Sequence, residues 1–272
     1  MISHNADDLK KISKNIRVEL LKSLHAAKSG HTGGSLSSVD ILSALFFNVM
    51  RHDPSNPQWD ERDRFILSKG HGAPALYTTL AVAGYFPTSE LSTLRKLGSR
   101  LQGHPDRKIF PYVEVSTGSL GQGLAMAGGI SLALRLRGST SRVYALLGDG
   151  ECQEGMVWES AMSSAHFKID NLCAIVDNNG LQIDGSVENI MEIEPLAEKW
   201  RSFGWNAIEV NGHDAQALLG AFSRARETKG RPSVIIADTV KGKGVSFFEN
   251  KCEYHGVPPS DDELARALKE LE

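Results

Sequence analysis

Five short apolar runs alternate with segments of helical periodicity along this chain of 272 residues, and this alternation restricts its fold more than any other feature. The runs are residues 64–68, 142–147, 172–176, 207–210 and 234–238. Continuous apolar runs of this length are typical of strands that are covered on both faces of a sheet. Strands that alternate with helices predict a parallel sheet, so we predict a doubly wound α/β fold with helices on both faces. We expect residues 1–272 to form one such domain.

The helical segments carry recognisable start and stop signals. Asn5 and Asp8 form a capping box ahead of apolar residues at helical spacing, which predicts a first helix that ends near Ser29 and Gly30. A second helix, capped by Ser37 or Ser38, is expected over residues 38–50. Further helices are predicted over residues 74–83, 120–136, 156–167, 195–203, 215–227 and 261–271.

The composition argues against several classes of protein. Lys and Arg number 30 and Asp and Glu 33, so the formal net charge of −3 offers no basic field for nucleic acid or anionic lipid. Cys152, Cys173 and Cys252 are far apart in sequence, which argues against a zinc site or a disulfide framework. Residues 1–19 contain no apolar segment typical of a signal peptide, and the uncharged residues 115–134 contain five glycines, which indicates a loop and a buried helix rather than a membrane span. We therefore expect a reduced, cytoplasmic protein without nucleic-acid or membrane partners.

Glycine-rich polar loops follow four of the predicted strands. They are residues 69–72, 148–151, 177–180 and 241–244. Because the carboxyl ends of parallel strands meet at one edge of a sheet, where ligands bind in open α/β folds, we expect these loops to form one ligand site. The loop at residues 148–153 lacks the third glycine of a dinucleotide fingerprint, and the chain has no P-loop motif. These two classes of nucleotide site are therefore excluded.

Asp149 and Asn179 follow two of these strands and offer oxygen ligands beside glycine turns. Such a pair suits a hard cation, for example Mg²⁺, that bridges to a diphosphate. The same residue types also suit a helix cap at Asp149 and an Asx-turn at Asn179. Spacing alone leaves both interpretations open.

A resemblance to a known family adds to this pattern. Gly148-Asp149-Gly150, followed after 27 residues by Asn178-Asn179, resembles the thiamine-diphosphate-binding motif. Ser29-Gly30-His31, residues 68–72, residues 117–123, Gly103-His104-Pro105 and His255-Gly256 are similar to loops of the transketolase family. The resemblance covers residues 7–260 and only the N-terminal, diphosphate-binding domain of a full-length transketolase. It implies the N-terminal subunit of a split transketolase, in which a separate C-terminal subunit supplies the pyrimidine-binding domain and its glutamate.

The resemblance also implies an activity and its residues. The activity is transfer of a two-carbon ketol unit between sugar phosphates, with thiamine diphosphate and Mg²⁺ or Ca²⁺ as cofactors and a heterotetramer as the assembly. The implied metal ligands are Asp149, Asn179 and the carbonyl of Leu181. The implied cofactor contacts are His71, Gly118, Leu120, Gly150, Glu154, Asn179 and Ile183, where Glu154 links two cofactor sites across a dimer. His31 and His255 are implied to assist proton transfer, and His104 to bind the donor's terminal hydroxyl.

Alternatives remain open for several residues and for the function. Glu154 also suits the first turn of a helix, where the macrodipole favours an acid. Lys241 and Lys243 either face the diphosphate or lie on a solvated turn, and His213 suits a loop-and-cap role. A 2-oxo-acid dehydrogenase alpha-type subunit shares the Gly-Asp-Gly and Asn elements, but the histidine loops favour transketolase. Two further alternative functions are a deoxyxylulose-phosphate synthase fragment and a cofactor-binding subunit without catalytic activity. Residues 117–123 argue against the synthase fragment.

Overall fold

The apolar runs form one parallel sheet in the computed structural model, which describes residues 4–272. Residues 1–3, part of the segment without signal-peptide character, lie outside the described residues. The strands are β1 Arg64–Leu67, β2 Val143–Gly148, β3 Leu172–Asn178, β4 Leu181–Gln182, β5 Gly185–Ser186, β6 Asn206–Asn211 and β7 Ser233–Asp238. The large sheet has the order β1-β2-β3-β7-β6 with every neighbouring pair parallel, while β4 and β5 form a short antiparallel hairpin. The predicted doubly wound α/β fold is confirmed.

Helices cover both faces of this sheet. They are α1 Ala6–Ala27, α2 Thr32–Ser37, α3 Val39–Ala44, α4 Ala73–Val82, α5 Gln122–Leu136, α6 Gly155–His166, α7 Val187–Ile190, α8 Leu196–Ser202, α9 Ala215–Glu227 and α10 Asp261–Glu270. The predicted capping box of Asn5 and Asp8 is present at the start of α1. No helix in residues 4–272 is both long and apolar enough to cross a membrane.

Alternation along the strands divides the core into two layers. Successive side chains of a strand point to opposite faces of the sheet. Tyr144 and Leu146 of β2 therefore pack with α1, α3 and α9, whereas Ala145 and Leu147 pack with α5, α6 and α8. Strands β1, β2, β3 and β7 are buried on both faces, which explains their largely apolar sequences and fixes the position of the loops that follow them. Strand β6, at the edge of the sheet, exposes Glu209 and Asn211.

The predicted second helix, residues 38–50, begins as expected, since α3 starts at Val39, but it is not continuous and a further helix, α2, precedes it. The chain becomes helical at Thr32, directly after His31, and continues through α2 and α3 into a π-helical turn over Leu45–Val49. Ser38 occupies the N-cap position of α3, but neither Ser37 nor Ser38 forms a side-chain capping bond, because both hydroxyls donate hydrogen bonds to the buried carboxylate of Asp177, at 2.6 and 3.2 Å respectively. A contact with a strand that is distant in sequence thus overrides the local capping preference.

Candidate functional site

The four glycine-rich loops meet at the carboxyl edge of the sheet around a cavity of about 400 Å³. We call it the cofactor cavity. Its lining residues are His31, Gly34, Lys69, His71, Gly118, Leu120, Gly148, Asp149, Gly150, Glu151, Gln153, Glu154, Asn179, Leu181, Gln182, Ile183, Lys241 and His255. A cavity of this size accommodates a typical cofactor or small ligand.

Two glycines allow the loops to approach each other. A Cβ on Gly70 would lie 2.7 Å from the backbone nitrogen of Gly118, and a Cβ on Gly123 would lie 2.6 Å from the Cα of Ser68. Real Cβ atoms do not approach backbone this closely, so any side chain at either position would push the loops apart. The glycines therefore hold the loop after β1 against residues 117–123.

Asp149 lies directly after β2 and is almost fully buried. Its carboxylate accepts hydrogen bonds from the backbone N–H groups of Gly150 and Gly180, at 2.7 and 2.5 Å, and so joins the loops after β2 and β3. Burial and the nearby Asp177 nevertheless raise the pKa of Asp149 to about 6. The protein groups around this carboxylate therefore compensate its charge poorly, and a bound divalent cation would offset that cost.

The oxygen atoms of Asn179 and Leu181 lie in the same loop. The Asn179 side-chain oxygen accepts a hydrogen bond from the Leu181 N–H at 3.2 Å, which is the Asx-turn that the sequence left open. The Leu181 carbonyl accepts a hydrogen bond from the Lys241 ammonium at 3.0 Å. Carboxylate, amide and carbonyl oxygens are the ligand types that Mg²⁺ and Ca²⁺ prefer. No cluster of three His, Cys, Asp or Glu side chains in residues 4–272 is arranged to hold a metal, so a cation here depends on this mixed set.

Three imidazole rings face one another across the cavity. The ring centroids of His31, His71 and His255 are 5.1 to 5.4 Å apart. Burial is the largest cause that lowers their pKa values, to about 4 for His31, about 2 for His71 and about 4 for His255, and neighbouring cations add to the effect. All three rings are therefore neutral at pH 7, so each can both donate and accept a hydrogen bond. The Nδ1 of His31 is buried without a partner among the described residues, as expected of a group aimed at a ligand.

Lys241 supplies positive charge to the cavity. Its side chain is buried, and its Nζ contacts the Leu181 carbonyl and, at 3.0 Å, the Nδ1 of His255. Burial, with a smaller effect of Lys69, lowers the pKa of Lys241 to about 8, so the ammonium form still dominates at neutral pH. A cation held by neutral groups favours an anionic ligand. The residues present therefore fit a diphosphate with a bridging divalent cation.

Comparison with known proteins identifies the family. The family model described as "Transketolase, thiamine diphosphate binding domain" matches residues 9–271 of the chain. The chain belongs to the transketolase family. The region that matches carries the family's thiamine diphosphate binding domain, which agrees with the cavity described above.

Individual relatives resemble this chain over almost its whole length. The 6-deoxy-6-sulfo-D-fructose transketolase subunit SqwG of Clostridium sp. (strain MSTE9) is 42% identical over 271 residues, which cover 100% of this chain and 98% of the relative. An apulose-4-phosphate transketolase subunit of Actinobacillus succinogenes is 42% identical over 266 residues, 97% of this chain and 96% of the relative. The crystal structure of Campylobacter jejuni transketolase matches with a TM-score of 0.93 and 31% identity and covers 98% of this chain. The chain spans 43% of the length of that solved transketolase.

All but one of the site residues that the resemblance implied lie around the cofactor cavity. The exception is His104, which lies in a shallow hollow beside the cavity with Gly103 and Pro105. Its ring is 3.1 Å from the point that a Cβ on Gly118 would occupy, so only a glycine separates it from the cavity. Ile183 lines the cavity but is 65% exposed, which leaves its side chain available to a ligand.

The structure also resolves several alternatives that the sequence left open. Lys241 faces the cavity, whereas Lys243 forms a partly exposed ion pair with Glu249 at 3.1 Å. Glu154 occupies the N-cap position of α6 without a side-chain capping bond, and it lines the cavity as well. His213 contacts Asp40 at 2.7 Å and accepts the Val240 N–H at 2.8 Å, which confirms a role within the loop, but the residue that caps α9 is Asp214.

Sequence reasoning missed a buried ionic network beneath the cavity. The Asp177 carboxylate accepts hydrogen bonds from Lys69, Thr239 and the two serines of the α2–α3 segment. Burial alone raises the pKa of Asp177, but the Lys69 ammonium and the hydroxyl donors outweigh it and hold the pKa below its ordinary value. Lys69 also donates to the Gly34 carbonyl at 2.9 Å. The network therefore fixes the floor of the cavity.

Glu151 is a second buried carboxylate that sequence reasoning did not single out. It accepts hydrogen bonds from the Ser68 hydroxyl and from the N–H groups of Gly121 and Gly148, the last two at 2.9 and 3.0 Å. It thereby ties three loops of the transketolase site together. The available signal was its place directly after an apolar strand, but the neighbouring Gly-Asp-Gly motif gave Asp149 the same place.

Proposed function

We propose that this chain is the N-terminal subunit of a split transketolase that transfers a two-carbon ketol unit from a ketose phosphate to an aldose phosphate. The single diphosphate-binding domain, residues 1–272, would work with a separate C-terminal subunit in the cytoplasm. The observation that carries the proposal is the cofactor cavity itself. It brings an oxygen ligand set and three neutral imidazoles within reach of one bound cofactor.

The proposal assigns the diphosphate and its cation to the loops after β2 and β3. Asp149, Asn179 and the Leu181 carbonyl would hold Mg²⁺ or Ca²⁺, whose charge offsets both the buried carboxylate and the diphosphate. Release of the Leu181 carbonyl to the cation frees the Lys241 ammonium for an anionic oxygen. His71 and Gly150 would contact the diphosphate, while Gly118, Leu120 and Ile183 would pack against the organic part of the cofactor.

Thiamine diphosphate, when bound, supplies the electron sink for cleavage of a carbon–carbon bond next to a carbonyl. The chain's own residues then have to orient substrate hydroxyls and move protons at oxygen. Neutral His31 and His255 suit this work in different ways. The Nδ1 of His255 accepts from the Lys241 ammonium, so its Nε2 carries the proton and can donate, whereas the Nδ1 of His31 has no partner among the described residues. His104, beyond Gly118, would donate a hydrogen bond to the donor's terminal hydroxyl.

A partner subunit is supported by the relatives and by the surface. The two similar bacterial proteins are named subunits and match this chain over almost their full length. Helices α5 and α6 expose Leu136, which is 87% exposed, and Met162, which is 60% exposed. The exposed face of α5 also carries small residues, Ala125, Gly129 and Ala133, which allow another helix to approach closely. A symmetric heterotetramer with two cofactor sites and Glu154 between them fits this arrangement.

Reconstitution tests the proposal. The chain is purified alone and together with a candidate C-terminal subunit, and ketol transfer is measured with thiamine diphosphate and Mg²⁺ over a panel of donor ketoses. The panel includes phosphorylated and sulfonated sugars, since the similar proteins are named for apulose 4-phosphate and 6-deoxy-6-sulfofructose. We expect activity only when both proteins are present. Robust transfer by the monodisperse chain alone would contradict the split enzyme, and an inactive but cofactor-loaded complex would favour a non-catalytic subunit.

A further inference from the structure

A second cavity, of about 540 Å³, opens at the edge of the sheet opposite the cofactor cavity. We call it the amino-edge cavity, because it lies where β1, β2 and β3 begin. The length of a six-residue strand, roughly 20 Å, separates the two edges. Its lining carries five cationic side chains: Arg51, Arg135, Arg142, Arg226 and Lys229. Two carboxylates, Asp63 and Asp170, also line it, so the cavity has an excess of three positive charges.

The two carboxylates are largely committed to other groups. Asp63 accepts hydrogen bonds from the backbone N–H groups of Arg51 and Arg142, at 2.9 and 2.8 Å, and pairs with the Arg51 guanidinium at 3.3 Å. Asp170 accepts the N–H of Gly230 at 2.9 Å. Within residues 4–272 Asp170 forms no ion pair with any of the five cations. Asp63 therefore neutralises Arg51, while the other four cations keep their charge.

The remaining guanidinium groups are held in place by neutral carbonyl oxygens. Arg142, only 9% exposed, donates to the carbonyls of Asp170 and Ala225 at 3.0 and 3.1 Å. Arg226 donates to the Val49 carbonyl at 2.8 Å, and Arg135 donates to two carbonyls at the end of α6. Carbonyl oxygens orient a guanidinium without cancelling its charge. The positive groups are thus positioned before any ligand arrives.

Two buried polar atoms at this cavity lack partners among the described residues. They are the Nε of Arg142, which belongs to a side chain more than nine-tenths buried, and the Oδ1 of Asn171. A buried unpaired donor is costly in a folded protein, and a buried unpaired acceptor is costly too. An incoming anion offers acceptors to the guanidinium donors, and a hydroxyl or protonated phosphate oxygen offers a donor to Asn171. The unpaired donor of Arg142 therefore favours a ligand with anionic oxygens, while the unpaired acceptor of Asn171 is satisfied only if that ligand also carries a donor.

We propose that the amino-edge cavity binds a small polyanion that carries two or more phosphate groups. The forked guanidinium matches the geometry of phosphate oxygens and binds them in pairs. The volume suits a small molecule rather than a protein segment, and an excess of three charges exceeds what one phosphate neutralises. The proposal is independent of the function assigned to the cofactor cavity.

Isothermal titration calorimetry with inorganic tripolyphosphate and with ATP tests the proposal. EDTA is present, so that binding at the proposed metal-dependent cofactor cavity is suppressed. We expect both ligands to bind, with an affinity that falls steeply as salt is added. Equal affinities would identify the phosphate chain as the recognised group, and tighter binding of ATP would show that the nucleoside is read as well.

Arg226→Gln and Lys229→Gln test whether the cavity is the site. Both side chains are exposed on or after the last turn of α9, so the folded chain should tolerate their loss, which a melting curve checks. We expect each to weaken tripolyphosphate binding about tenfold, the usual effect of losing one charge-assisted hydrogen bond. Arg224→Gln is the matched control, with the same charge on the same helix but outside the cavity, and it should bind as the unaltered chain does.

Three results would overturn the proposal. One is that neither polyphosphate binds. Another is that Arg224→Gln and Arg226→Gln weaken binding equally, which would mean general attraction to a basic surface. The third is that Lys241→Gln, in the cofactor cavity, abolishes binding while Arg226→Gln does not, which would assign the probe to the other cavity.

Discussion

Asp149 is the single carboxylate on which the proposed cation site depends. We expect Asp149→Ala to abolish the thermal stabilisation that thiamine diphosphate and Mg²⁺ give to the complex with the partner subunit. That stabilisation is about 2.7 kcal/mol when the ligand is at one hundred times its Kd. Asp149→Asn keeps an acceptor for the glycine N–H groups and should also lose the effect, because the charge is what the cation requires.

Asp184 provides the matched control for this experiment. It is an exposed acid in the β4–β5 hairpin, close in sequence to the proposed ligands. Asp184→Ala should keep the full thermal shift in a melting experiment with both cofactors. Calorimetric affinity for thiamine diphosphate that is unchanged in Asp149→Ala would show that the metal site lies elsewhere.

His104 and His71 differ in position and therefore in expected role. His104→Ala should leave the affinity for thiamine diphosphate within about twofold, because His104 lies outside the lining of the cofactor cavity. It should lower kcat/KM for the donor ketose about tenfold, as expected for one lost hydrogen bond. His71→Ala should weaken cofactor binding instead, with a rate partly restored by excess thiamine diphosphate. Titrations of both variants against cofactor and ketose check this, and loss of cofactor affinity alone in both would remove His104 from the substrate site.

At the scale of secondary-structure elements, the buried ionic network beneath the cofactor cavity joins the α2–α3 segment to β1, β3 and β7. We call this network, which consists of Asp177, Lys69, Thr239, Ser37 and Ser38, the Asp177 network. Asp177→Asn replaces an anion surrounded by donors with a neutral amide, and it leaves the buried Lys69 ammonium unpaired. We expect a loss of about 3 kcal/mol in the free energy of unfolding, measured by urea denaturation. Asp238→Asn is the control, because Asp238 pairs with Asn178 in the neighbouring strand but is exposed. This variant should change the free energy of unfolding by less than about 0.5 kcal/mol. A similar small change in Asp177→Asn would mean that the network contributes little.

A double variant separates charge from packing in this network. Lys69→Met removes the cation as well, so Lys69→Met with Asp177→Asn should recover part of the stability that Asp177→Asn loses. The coupling appears as non-additivity in a double-mutant cycle. Strictly additive losses would argue that the two side chains do not interact.

The sequence predicted the elements unevenly, for reasons that are physical. The five long strands were found within two residues of their observed ends, because four of them are buried on both faces and leave an apolar run. Strand β6 exposes Glu209 and was found from the apolar residues that flank this acid. Helix α2 was missed, since its sequence, Thr32 to Ser37, contains two glycines and no apolar periodicity, and tertiary contacts stabilise it. The hairpin of β4 and β5 has two residues in each strand, which is too short for any alternation to register.

The site was predicted in the same uneven way. Motif residues such as Asp149 and His71 stand in glycine-rich loops and attract notice, and the resemblance assigned their roles. The supporting residues Lys69, Glu151 and Asp177 are charged side chains beside or in the same loops, where a polar residue ordinarily faces solvent. Only the three-dimensional structure shows that they are buried, because their partners lie far away in sequence, Ser37 and Asp177 for example being 140 residues apart.

At the scale of the whole molecule, the buried imidazoles make stability depend on pH. Below pH 6.5 the unfolded chain protonates His31, His71 and His255, while the folded chain, with lowered pKa values, keeps them neutral down to about pH 4. The unfolded state thus binds more protons, and stability falls as the pH drops. Asp149 opposes this in part, since its raised pKa makes the folded state hold a proton between about pH 4 and 6.

We expect the free energy of unfolding to fall by about 1.4 kcal/mol for each pH unit between pH 6.5 and 5. This slope means that the unfolded chain binds one more proton than the folded chain, after allowance for the partial exposure of two of the rings. Urea denaturation of the chain without cofactors at several pH values measures the slope. His71→Asn should flatten it, and His166→Asn, on the exposed end of α6, should leave it unchanged. If His71→Asn showed the same slope of unfolding free energy against pH as the unaltered chain, the buried His71 ring would not contribute to the pH dependence.

The Asp177 network also has a consequence for the order of folding. Its carboxylate is bonded to groups 62, 108 and up to 140 residues away along the chain, so these bonds form only after the sheet has assembled and distant loops have closed. Interactions that are absent from the folding transition state act on the rate of unfolding rather than on the rate of folding. In stopped-flow experiments Asp177→Asn should therefore speed unfolding while refolding keeps its rate. The floor of the cofactor cavity would then form last during folding and would determine the kinetic stability of the chain, that is, the lifetime of its folded state.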